Sequence, residues 1–180
     1  LCHMDGLSPY GACRLCIVEI GEGPKAKLVT SCTYPALEGL HVRTASSRVV
    51  NARKMILELL LASCPQSKTI QDFASAYDVH TQRFKQEYED CILCGRCVRV
   101  CQDIRAAGTL AFSQRGQKTV IGPAFHLSHL ESTCEFCGAC VSVCPTAALS
   151  ERTNKWDGVP QREEITSCPL CSVGCQLRLQ

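Results

Sequence analysis

Cys91-Ile92-Leu93-Cys94-Gly95-Arg96-Cys97-Val98-Arg99-Val100-Cys101-Gln102 sets four thiols at x2, x2, x3 spacing. Cys134-Glu135-Phe136-Cys137-Gly138-Ala139-Cys140-Val141-Ser142-Val143-Cys144-Pro145 repeats that spacing. Sixteen cysteines in 180 residues mean either a disulfide scaffold or a set of metal sites. A disulfide framework spreads its cysteines so that each bridge closes a useful loop, whereas here four consecutive thiols crowd together twice. Zinc is the stronger rival, because it also takes Cys-x2-Cys, usually as two such pairs around one ion.

Cys-x2-Cys-x2-Cys-x3-Cys-Pro is the bacterial ferredoxin pattern, in which three thiolates hold one [4Fe–4S] cubane and the fourth reaches the other. Both runs fit, the second with Pro145 in place and the first with Gln102 there instead. The first three thiols of a run sit on one tight loop, while the fourth lies a helical turn away and faces the neighbouring cluster. Crossed ligation is therefore expected: Cys91, Cys94, Cys97 with Cys144, and Cys134, Cys137, Cys140 with Cys101. Gly95 and Gly138 hold equivalent positions, where a side chain would keep the backbone from its cluster. Arg96 and Arg99 could raise the potential of the nearby cubane; the plainer reading of two such arginines is that they are solvated.

Working outward, Cys13-x2-Cys16 offers two thiolates from one turn, with Cys2 and Cys32 on flanking loops. Four thiolates suit a [2Fe–2S] rhomb, two to each iron, and Gly11 lets backbone N–H groups approach the sulfurs. Zinc remains the alternative at this set. Toward the end of the chain, Cys168, Cys171 and Cys175 supply three ligands of a possible third [4Fe–4S] site. Its fourth would be a cysteine beyond residue 180, Cys64, or none. Cys64 by itself reads as a buried small hydrophobe. The five histidines are scattered, and none is needed as a ligand.

Coarse secondary structure positions these sets. Cys16–Ile20 and Lys27–Thr30 read as strands around a Gly21-Glu22-Gly23-Pro24 turn. Ser47 is the expected N-cap of a helix carrying Val49, Ala52, Ile56, Leu59 and Leu60 on one face, stopped by Cys64-Pro65. Ser67 is the expected cap of a second helix with Ile70, Phe73, Ala74 and Tyr77. A helix over Val98–Ala107 and a hairpin of Leu110–Phe112 with Thr119–Ile121 follow. Residues 151–167 read as a linker, and Leu177 and Leu179 as the start of a strand. The expected organisation is a [2Fe–2S] domain over 1–45, a two-helix spacer over 46–88, a two-cubane domain over 89–152, and a linker with three cysteines over 153–180.

A formal net charge of +2 and 6% aromatic residues argue against nucleic acid or an anionic membrane as the main partner. The longest apolar run, Met55–Ala62, is far short of a membrane span and contains Glu58. No secretory signal is visible, which suits a cytoplasmic protein. There is no Gly-x-Gly-x-x-Gly, no P-loop and no acid–base constellation, so the chain carries electrons and has no substrate chemistry of its own.

The string Leu1-Cys2-His3 through Ser8-Pro9-Tyr10-Gly11-Ala12-Cys13-Arg14-Leu15-Cys16-Ile17-Val18-Glu19 resembles the N-terminal [2Fe–2S] domain of the complex I large iron–sulfur subunit. The same module occurs in iron-only hydrogenases and NAD-linked formate dehydrogenases. Ser31-Cys32, Pro35, Gly39, the helix ending Leu57-Glu58-Leu59-Leu60-Leu61-Ala62, and the two cysteine runs continue the likeness in the family's order. The resemblance implies an α+β chain: a partial β-grasp [2Fe–2S] ferredoxin-like domain, a helical spacer and a two-[4Fe–4S] bacterial-ferredoxin-like domain. It also implies an electron-transfer subunit between a flavin-bearing, NAD(P)H-oxidising subunit and a catalytic redox subunit or domain.

Three departures qualify the resemblance. The family's His-x3-Cys-x2-Cys-x5-Cys site is expected to be absent, because Cys64-Pro65-Gln66-Ser67-Lys68 stands there without further thiols. The chain opens at its first ligand, as an N-terminally truncated sequence would. Thr166-Ser167-Cys168-Pro169-Leu170-Cys171-Ser172-Val173-Gly174-Cys175 resembles the opening of a molybdopterin-type formate dehydrogenase domain. The alternatives are therefore the relay part of a molybdenum or tungsten formate dehydrogenase and, from a different class, a zinc-binding interaction module.

Overall fold

The computed structural model describes residues 1–80, 83–87, 89–151, 160–169 and 172–179. It divides into two units, Leu1–Leu149 and Ser150–Gln180.

The first unit begins with thiol-bearing loops leading into an antiparallel sheet. Strand β1 (Ile17–Ile20) pairs with β2 (Lys27–Thr30), Ile17 opposite Thr30 and Ile20 opposite Lys27, close to the expected hairpin. Gly21, at φ +83°, makes the turn that a β-branched residue would resist. A two-residue strand, β3 (Val42–Arg43), lies on the other side of β1 and gives the order β2-β1-β3. The sequence offered no sign of it, because both residues are exposed and only the pairing to Glu19 and Ile20 defines it.

Helix α1 (Ser47–Ser63) is capped by Ser46, one residue before the serine expected, whose hydroxyl accepts the Val49 N–H at 3.3 Å. Its buried residues are Val49, Leu57, Glu58 and Ala62, while Leu59, assigned to the core face from the sequence, is exposed. Helix α2 (Lys68–Ala76) follows Ser67 as expected and buries Ile70 and Ala74. The Ser67 hydroxyl makes no capping bond, however. Leu57 and Ala74 pack with Leu15, Val79 and the thiol-bearing Cys2, Cys13 and Cys94 in one core. The helices are thus the wall against which ligand loops from the start and the middle of the unit are pressed.

The helix expected over Val98–Ala107 is shorter and starts earlier. It is α3 (Arg96–Arg99), continuing as a π-type turn over Val100–Ile104, with Arg105 N–H bonded to the Val100 carbonyl. Strands β4 (Leu110–Ser113) and β5 (Val120–Pro123) form the expected hairpin, and α4 (Ala139–Ser142) follows. Gly95 and Gly138 stand at the start of α3 and α4 in the same left-handed conformation, φ +69° and +70°. Val100 and Val143 pack together with Leu7 and Cys140, bringing the two halves of the repeat side by side.

In the second unit β6 (Glu164–Ser167) pairs antiparallel with β7 (Gln176–Leu179). Residues 164–167 are therefore strand, where the sequence reading had linker; residues 152–159 of that linker lie outside the described residues. Among the described residues, no helix is long and apolar enough to cross a membrane.

Candidate functional site

Every described cysteine is a free thiol. The first set gathers Cys2, Cys13, Cys16 and Cys32 around the loop that leads into β1. Its thiols fall into two pairs. The Cys2 sulfur accepts the Cys13 N–H at 3.5 Å, and the Cys16 and Cys32 sulfurs approach to 3.3 Å. Gly11 makes the loop possible: it sits at φ +69°, and a Cβ there would come within 3.1 Å of the Thr33 methyl. Burial opposes ionisation of Cys2, yet hydrogen bonds from Cys13 and Ala12 bring its thiol below the ordinary value. Burial pushes Cys32 the other way, up to about 11, reinforced by its hydrogen bond to Cys16 and by the other thiols of the set. Four such groups do not ionise together unaided. A polynuclear cation among them would offset that repulsion, so the donor set suits a [2Fe–2S] centre.

The second set is assembled from distant segments. Cys91, Cys94, Cys97 and Cys144 line one cavity of about 820 Å³. That volume is far beyond the roughly 30 Å³ one water occupies in the liquid. Burial raises Cys97 to about 12, with Cys94, Cys91 and Cys144 adding their fields in that order. Cys144 moves the opposite way: burial opposes its ionisation, but the N–H groups of Leu149 and Thr146, then the Thr146 hydroxyl and the Ala148 N–H, lower it. Thr146 is held in turn by its hydrogen bond to the Asp90 carbonyl at 2.7 Å, which ties the tail of one run to the head of the other.

Cys134, Cys137 and Cys140 form the third group, with Cys137 exposed and the other two half-buried. Burial raises Cys140, and Cys137 and Cys134 contribute. The π-type turn carrying Cys101 is fastened to this loop through Arg105 and Glu135 at 3.0 Å, and the Thr109 and Thr133 hydroxyls meet at 3.1 Å. Among the described residues, no three His, Cys, Asp or Glu groups converge as one metal ion requires. In the second unit, Cys168 N–H donates to the Cys175 carbonyl at 2.8 Å where the β6–β7 ladder opens into its connecting segment, and Cys171 lies outside the described residues.

Cys64 is wholly buried, and its thiol is pushed up to about 12 by burial and then by the field of Cys91. Sequence reading missed several polar residues that hold these loops. Glu58 is buried and receives both the Arg83 side chain, at 2.6 and 2.7 Å, and its backbone N–H. Glu19 in β1 pairs with Arg48 at 2.9 Å and Arg43 at 3.5 Å. Arg53 reaches the Ile17 carbonyl at 2.7 Å and the Tyr77 hydroxyl at 2.9 Å. Arg99, for which solvation was the plainer reading, is buried, and Arg96 reaches carbonyls in two other segments.

Residues 1–47 match the 2Fe-2S iron-sulfur cluster binding domain and residues 90–148 the 4Fe-4S dicluster domain. The chain is an iron–sulfur electron-transfer module with one [2Fe–2S] and two [4Fe–4S] centres. Among its relatives is the NADPH-Fe(3+) oxidoreductase subunit alpha of Geobacter sulfurreducens, 32% identical over 98% of this chain and 24% of that protein. The NADP-reducing hydrogenase subunit HndD of Solidesulfovibrio fructosivorans is 32% identical over 82% of this chain and 29% of its own length. One of the NADH-quinone oxidoreductase subunits of Rhizobium meliloti is 32% identical over 98% of this chain and 23% of its own length. The chain thus spans about a quarter of the length of these relatives. The fold is also that of a chain in the crystal structure of an NAD+-reducing [NiFe]-hydrogenase in the H2-reduced state. That match has a TM-score of 0.72 and 24% identity, over 85% of this chain and 74% of the other. The likeness to the complex I and hydrogenase module drawn from motif order is borne out.

Proposed function

We propose that this chain relays single electrons between a flavin-bearing, NAD(P)H-oxidising subunit and a second redox subunit or domain. Cys2, Cys13, Cys16 and Cys32 would hold the [2Fe–2S] centre. Cys91, Cys94, Cys97 and Cys144 hold one cubane; Cys134, Cys137, Cys140 and Cys101 hold the second. A bound cluster supplies a reversible one-electron carrier, and the protein fixes its ligands, excludes water and aims N–H groups at the sulfurs. The observation that carries this reading is the common cavity of Cys91, Cys94, Cys97 and Cys144, because only crossed ligation needs Cys144 beside the other run.

Cys168, Cys171 and Cys175 belong to a third [4Fe–4S] site completed by a further ligand; the backbone bond from Cys168 to Cys175, which holds those two residues together, supports this. The names of the relatives, all oxidoreductase or hydrogenase subunits that use pyridine nucleotides, support the choice of partners. Anaerobically prepared Cys144→Ala and Cys101→Ala proteins test the ligation. Crossed ligation expects Cys144→Ala to alter the same cubane signal as Cys91→Ala, and Cys101→Ala the same one as Cys134→Ala. If Cys144→Ala instead behaves like Cys134→Ala, the assignment is wrong.

A further inference from the structure

Arg99 is a buried cation at the seam between the loop that carries Cys2 and the loop that carries Cys94. Its guanidinium donates to the Ser8 carbonyl at 2.5 Å, the Cys2 carbonyl at 2.6 Å and the Cys94 carbonyl at 3.4 Å. Its Nε donates to the Gly95 carbonyl at 3.3 Å. The Tyr10 ring lies under it at 5.7 Å and stacks in turn on Phe112. Asp103, whose field overlaps that of Arg99, is engaged by the Ser8 N–H and hydroxyl. Among the described residues no carboxylate forms an ion pair with Arg99. A buried charge held by carbonyl dipoles, one aromatic face and the field of Asp103, with no direct ion pair, is expensive. Further negative charge to balance it would come from the two thiolate-bound centres whose ligands, Cys2 and Cys94, it holds by their carbonyls.

We propose that Arg99 is the positioning residue and counter-cation of the relay: it fixes the [2Fe–2S] loop against the first cubane loop and favours the reduced state of both centres. The proposal rests on the reading that these thiol sets hold clusters. Reduction adds one electron, hence one negative charge, to a centre; Arg99 neither gains nor loses a proton or an electron, and its fixed positive charge makes each addition more favourable. Arg96 does the same from the rim. It binds the His3 carbonyl at 2.5 Å and the Val143 carbonyl at 3.5 Å, so it links the residues beside Cys2 and Cys144, and its Nε is buried without a partner.

The test is an anaerobic dithionite titration followed by paramagnetic resonance on wild-type, Arg99→Gln, Arg99→Lys and Arg96→Gln proteins, with iron and acid-labile sulfide measured first. In Arg99→Gln the equilibrium constants for reducing the [2Fe–2S] centre and the first cubane should each fall about tenfold or more, and tenfold is about 59 mV for a one-electron couple. Arg99→Lys keeps the charge and should recover most of that loss. Arg96→Gln, less buried and safer for folding, should shift the same two centres in the same direction by less. Fully loaded Arg99→Gln with unchanged constants overturns the proposal. So does a lysine variant shifted as far as the glutamine one. If Arg99→Gln fails to assemble, unchanged constants in Arg96→Gln have the same force. Wild-type protein lacking iron and sulfide would instead remove the underlying cluster reading, a result distinct from normal clusters with unmoved potentials.

Discussion

The two cysteine runs place a glycine at the same point in the same conformation, yet the surroundings differ, and the difference has a calculable consequence. An alanine at Gly138 meets no protein atom within 4 Å, so beyond the approach to the cluster that it shares with Gly95 its cost is that of the left-handed backbone, roughly 1–2 kcal/mol. An alanine at Gly95 bears the same backbone cost and also sets its Cβ 3.0 Å from Phe112 Cζ and 3.3 Å from Tyr10 Cε1. Overpacking of that kind adds about 1–3 kcal/mol. Tyr10 is half exposed, so the ring pair can slide and the lower half of that range is expected. Gly95→Ala should therefore be about 1–2 kcal/mol worse than Gly138→Ala. Anaerobic urea unfolding of the cluster-loaded proteins, followed by far-ultraviolet circular dichroism, reads the difference as a lower midpoint at similar slope. Equal midpoints would mean that Tyr10 and Phe112 do not close over Gly95, and the seam holding Arg99 would have to be redrawn.

Three further outcomes follow from the same geometry. Glu58 lies below the ordinary carboxylate range because Arg83 hydrogen-bonds it, despite the opposing effect of burial. The stability this contributes is complete above about pH 4.3, where the unfolded carboxylate is ionised, and is lost as pH falls through the lower folded value. Glu58→Gln should flatten that acid limb in a pH series of thermal melts; an unchanged limb would show that the Arg83 pair is not formed. Leu57, fully buried between the helices and the ligand loops, should cost about 2–5 kcal/mol as alanine, again by urea midpoint, and under 1 kcal/mol would contradict the packing. Ser46→Ala should cost about 1 kcal/mol and Ser47→Ala clearly less, which decides which serine caps α1.

The parts of the molecule legible in the sequence are those with a local cause. Strands β1, β2, β4 and β5 follow from short β-rich runs bounded by glycine and proline, and α1 ends where Cys64-Pro65 said it would. The thiol sets were legible because cluster ligation imposes spacing directly on the chain. Pairings between distant segments left no local trace. Val42–Arg43 is a strand only because β1 lies beside it. Glu58 is tolerated inside because Arg83 reaches it from a later segment, while the neighbouring Leu59 is exposed. Arg99 follows Gly95 by one helical turn, so its Nε can return to the Gly95 carbonyl. Its burial, however, depends on the Cys2–Tyr10 loop folding over it from the far end of the unit. The continuation of α3 as a π-type turn, where the sequence suggested an unbroken helix, likewise belongs to the packing of Val100 against Val143.

The central claim is that these thiols gather iron and inorganic sulfide into three one-electron centres, and chemical analysis of anaerobically purified protein tests it most directly. The account predicts about ten irons and ten acid-labile sulfides per chain, two of each from the first domain and eight from the second, rising by four of each where the Cys168 site is filled. Zinc bound in their place, with no labile sulfide and no paramagnetic signal after dithionite, would contradict it.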